Sequence, residues 1–263
     1  MLRRRDACLE PTLPGRSLRQ GQLEARQLGS CSVWLTAEKG IVLGGGSSVA
    51  TWEDQGKSNL KMVASGAYGL PDFSNADATF RSMPAVEFSP AGAPNGADRL
   101  ISQTCVRLIQ PNTIAVVFQN QKSKASDDCG YIHGYGTGGS AANQINFTGD
   151  AGGTKHTIAI GAGSGLTPTT TTTYALNVGR SMIGLFNNGT GDLWVDGVRE
   201  LSGETLGTAN FDVLMLGDFS YADDADKYFD GKIAEFAVWD RALTAGEIQA
   251  VTDAWAAKYG VAQ

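Results

Sequence analysis

From residue 32 onward, short runs rich in β-branched and aromatic residues follow one another, and each is cut off by a turn. They are SVWLTA (32–37), SVATWED (48–54), PAVEF (84–88), NTIAVVFQ (112–119), HTIAIG (156–161), TYALNVG (173–179), SMIGLF (181–186), GDLWVDGVRE (191–200), FDVLMLG (211–217) and GKIAEFAVW (231–239). The stretches GGGSS (44–48), PNGAD (94–98), GTGGS (136–140), GAGSG (161–165) and NNGTG (187–191) separate or flank them. Such a chain can bury its apolar side chains only by stacking or closing sheets, so it predicts an antiparallel β-sandwich or barrel. No fixed period repeats along it, which argues against a propeller or a β-helix. Composition agrees. Glycine makes up 34 of 263 residues and supplies the turns, while charged residues are only 18%. Long coiled coils and helical bundles need more Glu, Lys and Arg than that. With 42% hydrophobic residues the chain can fill a core, so disorder is excluded. No apolar run reaches the ~18 residues of a membrane span.

Local patterns sharpen the reading. In GKIAEFAVW, strict alternation sets Ile233, Glu235, Ala237 and Trp239 on one face and Lys232, Ala234, Phe236 and Val238 on the other. Neither set is strictly polar, as expected of a strand covered on both sides. Asp196-Gly197 sits between Trp194-Val195 and Val198-Arg199. That pair tolerates the positive φ angles of a type I′ turn, so it predicts a hairpin. One helix closes the chain. Thr244 and Glu247 have the spacing of a capping box, and Leu243 and Ile248 flank it as a hydrophobic staple. Ile248, Val251 and Trp255 recur on one helical face, and Gly260 suits the stop. The expected helix is short and packed on the edge of the sandwich.

Charge divides the chain in two. Residues 1–30 hold six arginines and three acids, a net +3, whereas the remaining 15 bases and 24 acids leave −9. We therefore divide the chain into a basic arm, 1–30, and a β-sandwich body, 31–263. Pro11 and Pro14 break any early helix in the arm. An acidic body excludes nucleic acid as the expected partner. The start MLRRRDACLEPTLPGRS carries no apolar stretch after its charges, so no signal peptide is expected. Cys8, Cys31, Cys105 and Cys129 form no C-x-x-C pair, and four reduced thiols are the simpler expectation.

The body resembles a concanavalin A-like lectin/glucanase domain of the laminin-G-like branch. The opening Val33-Trp34-Leu35-Thr36-Ala37 carries the resemblance, followed by Val49 to Gln55 and Pro84 to Phe88. So do the hairpin Trp194-Val195-Asp196-Gly197 and the closing stretch from Phe229 to Thr244 with Glu247-Ile248. The resemblance spans about residues 32–261 and implies a jelly-roll sandwich. It does not imply one function, because the fold hosts lectins, glycosidases, adhesion modules and virion proteins. The arm has no counterpart in that pattern. An unsecreted domain with a leading arm resembles proteins attached to the heads or tails of tailed bacteriophages.

Each candidate site also has a plainer role. The glucanases of this superfamily carry E-x-D-x-x-E or E-x-D-x-E on one strand, and neither string occurs here. Glu235 and Asp240 are five apart and would point to opposite faces, so Glu235 reads as a strand residue near Lys232 or a partner strand. No G-x-S-x-G elbow accompanies His133 or His156, the two histidines. Tyr131, His133 and Tyr135 stand at strand spacing and could stack on a sugar or pack a strand. Asp223, Asp224, Asp226 and Asp230 follow Asp218. A solvated acidic loop is preferred there to a calcium site, since the EF-hand order is absent. Thr167 to Thr173 reads as an exposed loop leading to Tyr174. Arg3, Arg4 and Arg5, with Leu9, Leu13 and Leu18, suit an extended segment laid on a partner surface.

The expected function is a non-enzymatic structural or interaction module, with no cofactor and no metal. Foremost is a phage virion component, a head decoration or fibre protein, anchored through the arm to a capsid or other virion protein. It would be made in the host cytoplasm, bind no membrane, and assemble as a homo-oligomer such as a trimer. A carbohydrate-binding lectin that recognises a host-surface glycan is the alternative, and a glycoside hydrolase comes last.

Overall fold

The computed structural model describes residues 31–64, 69–89, 98–104, 109–121, 129–134, 143–149, 155–162, 168–209, 213–218 and 228–262. The whole arm lies outside the described residues, as do Cys8, Cys105, Tyr135, Asp223, Asp224 and Asp226. Strands come first along the chain: β1 (Cys31–Thr36), β2 (Ile41–Gly45), β3 (Ser48–Glu53), β4 (Lys61–Ala64), β5 (Asp72–Asp77), β6 (Met83–Phe88) and β7 (Leu100–Ser102). Next are β8 (Asn112–Asn120), β9 (Cys129–Gly134), β10 (Asn143–Gly149), β11 (Lys155–Ala162), β12 (Tyr174–Ala175), β13 (Gly179–Asn187), β14 (Thr190–Val195), β15 (Val198–Thr205), β16 (Met215–Leu216) and β17 (Gly231–Trp239). The helix α1 (Ala245–Tyr259) ends the fold.

Every strand pairing is antiparallel, and the pairings resolve into two layers. In sheet one, β17 lies between β8 on one side and, on the other, β6 beside its first half and β1 beside its second. The sheet continues from β8 through β13 and β14 to β15. In sheet two the order is β2, β3, β4, β7, β16, β9, β10, β11, β12. The β5–β6 hairpin links the layers, because β5 also touches β3 through Ser48 and Asp72. The main core fills the space between them. Along β8, Ile114, Val116 and Phe118 enter that core, while Ala115 and Val117 join a second cluster on the outer side. The Asp196-Gly197 turn forms as expected, with φ of 50° and 81°.

The helix does not sit on an edge. It runs for 15 residues and covers the outer face of sheet one, where Ile248, Val251, Trp255 and Tyr259 pack with Trp34, Ala115, Val117, Ala237 and Trp239. The capping box forms: Thr244 Oγ1 accepts from the Glu247 amide at 3.3 Å, and Glu247 accepts from the Thr244 amide at 2.8 Å. Arg241 grips the same Glu247 carboxylate at 2.6 and 2.8 Å.

Strict alternation fails in β17. The register against β8 shifts between Ile233 and Glu235, leaving Ala234 as an extra residue. Such a bulge reverses the facing of what precedes it. Ile233 therefore enters the main core with Phe236 and Val238, while Ala234, Ala237 and Trp239 face the helix. Glu235 faces the helix as well. It is 1% exposed, and its Oε1 accepts from Trp34 Nε1 at 2.9 Å and Trp255 Nε1 at 3.0 Å. Its Oε2 accepts from Lys258 Nζ at 3.0 Å and Tyr259 Oη at 2.5 Å. Burial opposes a charge on Lys258, but Glu235 and Glu38 outweigh it and hold the ammonium's pKa above its usual value. Lys232, which the sequence placed near Glu235, pairs instead with Asp77 at 2.7 Å. We expect Glu235→Ala to cost about 3–5 kcal/mol, the range for removing one partner of a buried ion pair. Glu235→Gln, which keeps an acceptor for the indoles, should cost less. Urea unfolding midpoints of the two variants measure this.

Candidate functional site

Strand ends on one side of the sandwich gather several buried and half-buried polar groups. The chain leaves β6 at Ser89 and returns at Asp98, where the Ser89 amide donates to Asp98 Oδ2 at 2.8 Å and the Asp98 amide donates to the Ser89 carbonyl at 2.9 Å. Next in sequence, Arg99 meets Asp218, which follows β16, at 3.2 Å; each is 1% exposed. Between β16 and Asp218, Gly217 has φ of 89° and passes so close to Phe88 and the Asp98 carbonyl that a Cβ would lie 2.5 and 2.6 Å from them. The Phe229 amide donates to the Gly217 carbonyl and the Gln121 amide to that of Asp230, at 2.9 and 2.8 Å. These bonds close the base of the acidic stretch 218–230.

The rim continues along sheet two. In β9, His133 pairs with Leu216 of β16 and with Ile145 of β10, and Tyr131 pairs with Asn146. One residue more stands on β9 than on β10 between these pairs, so simple alternation is interrupted there. The side chains of Tyr131 and His133, like all of Tyr135, lie outside the described residues. At the start of β11, His156 is buried, with its ring 6.0 Å from that of Tyr174. The Arg180 guanidinium lies 4.8 Å over the Tyr174 ring and pairs with Asp196 at 2.6 Å. The backbone thus brings both histidine positions, the aromatic strand and Asp218 to one end of the molecule. Asp98, Arg99 and Arg180 belong there too, and no local sequence signal singled them out. Thr170, within the run expected to be exposed, is 3% exposed; its backbone amide donates to the Ile158 carbonyl, and its Oγ1 accepts from the Ile158 amide.

Other candidates lie elsewhere. Glu235 is sealed under α1 and Asp240 is exposed beyond the end of β17, so the two do not flank a common cleft. Cys31 is a buried free thiol whose pKa is pushed up to about 12, by burial first and by Asp54 second. A thiol held protonated in this way is a poor nucleophile. Asp54 organises a loop: it accepts from the amides of Trp34 and Gly56 at 2.6 and 2.7 Å and from Ser58 Oγ at 2.6 Å. Among the described residues no group of three or more His, Cys, Asp or Glu is arranged to hold a metal ion, and no helix is long and apolar enough to cross a membrane.

Two rim groups give stability a pH dependence of opposite sign. Burial, with the charges of Asp72 and Glu87, raises the Asp98 pKa from 3.8 to about 6. Its contribution is complete below 3.8 and is lost as pH rises through 6. Burial, with Arg180, lowers the His156 pKa from 6.5 to about 4. Its contribution is complete above 6.5 and is lost as pH falls through 4. We expect Asp98→Asn to make stability rise more steeply with pH between 4 and 6, and His156→Gln to make it rise less. Urea midpoints across that range read both slopes.

A family model of the concanavalin A-like lectin/glucanases superfamily matches residues 104–249, more than half of the chain. No curated protein matches the sequence. Among solved structures, domain 4 of AbnA, an extracellular arabinanase of Geobacillus stearothermophilus solved with arabinotriose, superposes with a TM-score of 0.56 at 12% identity. That match covers 85% of this chain and 98% of the other. A Trypanosoma rangeli sialidase matches at TM-score 0.53 and 14% identity, over 92% of this chain and 35% of its own. This chain therefore spans about a third of the sialidase's length. A heptameric pentraxin of Limulus polyphemus matches at TM-score 0.50 and 12% identity, over 59% and 75%. At these identities the likeness is one of fold.

Proposed function

Because the chain belongs to the concanavalin A-like lectin/glucanase superfamily, whose fold fixes no single chemistry, we propose that it is a non-catalytic carbohydrate-binding module. The observation that carries this reading is the rim, where β9, with Tyr131 and His133, runs beside β16, and β16 beside β7, which the half-buried Asp98 leads into at the same end. Sugars are bound by aromatic faces together with fixed polar groups, and the rim sets both kinds of residue at one end of sheet two. The absence of a paired-carboxylate string supports binding over hydrolysis, as does the structural use of Glu235. The arabinanase domain, solved with arabinotriose and similar over nearly its whole length, gives the module reading further support.

A glycan array probed with the full chain tests this. We expect reproducible binding to a restricted set of oligosaccharides, lost in Tyr131→Ala and His133→Ala at unchanged melting temperature. An empty array, or release of reducing sugar from a bound glycan, defeats the proposal.

Attachment to a larger particle, such as a virion, is the second reading, favoured by the contrast between the +3 arm and the −9 body. Deletion of residues 1–30 is expected to leave the melting temperature unchanged and to abolish co-sedimentation with the particle. A truncated body that aggregates or melts far lower defeats it.

A further inference from the structure

We propose that β2 is a joining edge through which two copies of this chain pair, continuing sheet two across a twofold axis. Among the described residues β2 pairs with β3 alone, and no other described strand lies along its second side. Folded proteins usually protect such an edge with charge or proline. Here the stretch from Gly40 to Ser48 has neither. Residues 42–47 are all exposed, Val42 at 47% and Leu43 at 45%. Gly45 and Gly46 have nothing within 4 Å of where a Cβ would stand, which leaves room for a second backbone. Two register shifts against β3 cancel, since Ala50 is extra on β3 and Gly44 on β2, and the strand keeps its line.

The ends of this edge are complementary to each other, which identifies the occupant as a second copy. Lys39, exposed at one end, has no carboxylate partner among the described residues. At the other end exposed Asp72 accepts from Ser47 Oγ at 2.8 Å. Antiparallel pairing that sets Leu43 opposite Leu43 of the copy brings the bend before β2, with Lys39, to the same end as the copy's hairpin turn, with Ser47, and hence near Asp72. The twofold axis makes the contact twice. An open groove of about 550 Å³ lies there, lined by Leu43, Gly46, Ser47, Phe73, Ser74 and Asn75. It suits the aliphatic stem of the incoming Lys39, with the ammonium reaching Asp72.

Sedimentation velocity on the full chain, up to about 100 µM, tests this. We expect a species of twice the 27.6 kDa chain mass. Leu43→Lys should be monomeric and Lys39→Glu should weaken dimerisation about tenfold or more. Lys39→Glu combined with Asp72→Lys should restore it. Thermal melts of each variant check the fold, and if Leu43→Lys melts lower the charge exchange decides. A monomeric wild type, a trimer, a dimer insensitive to Leu43→Lys, or an exchange that fails to restore pairing overturns the proposal.

Discussion

One buried carboxylate fixes how the closing helix meets the sandwich. Glu235 takes hydrogen bonds from β1 through Trp34 and from α1 through Trp255, Lys258 and Tyr259. A carboxylate this deep is stable only with its charge and lone pairs matched, and a buried pair is weak evidence for net stability. What it does provide is position. The four donors converge only if the helix lies across the outer face of sheet one at one height and rotation. The apolar contacts around Trp239 and Ile248 would tolerate more latitude. The bulge at Ala234 lets the same strand send Ile233 into the core between the sheets while Glu235 stays in line with Ala237 and Trp239 towards the helix.

The same logic recurs at the strand-end rim. Arg99 with Asp218 and Arg180 with Asp196 are buried or half-buried pairs that tie neighbouring segments together. Asp196 belongs to the hairpin turn, and its Oδ1 accepts from the Ser181 amide at 2.8 Å. The Asp-Gly turn is therefore fixed twice, by its own φ angles and by β13. Desolvation raises the Asp196 pKa against the pull of Arg180. That is the cost of putting the pair where it can set geometry.

Much of the fold was legible in the sequence because alternation and capping are local. The capping box, the αL stop at Gly260 and the hairpin at Asp196-Gly197 form as their spacing requires. The β17 bulge was not legible. In Ile-Ala-Glu-Phe-Ala-Val-Trp both parities are apolar but for Glu235, so the pattern does not register an extra residue. β2 was hidden by its glycines, which read as a turn yet continue a strand. The rim was legible only in fragments. Arg99 and Asp218 stand 119 residues apart and meet through the pairing of β7 with β16, a non-local contact without a local signature. Asp54 had a signal, an Asp followed by Gly56 and Ser58, which is the spacing of an Asx turn closing on its own loop.

The distribution of carboxylates carries the argument from fold towards chemistry. Glu235, Asp218, Asp196 and Asp77 are each neutralised by a cation of the same chain, and each of those pairs joins two elements. Groups committed in this way cannot turn to a ligand without loosening the structure. Asp72 and Asp98 differ. They stand near each other and near Glu87, and the mutual repulsion adds to burial in raising the Asp98 pKa. A carboxyl group with a pKa near 6 switches between accepting and donating hydrogen bonds close to neutral pH. Neutral hydroxyl groups meet both forms without bringing a further charge. Strong interactions within the chain thus hold the sandwich together, and Asp98, half-buried beside Asp72 and Glu87, is held at its rim by the Ser89 amide where those four carboxylates have a cation.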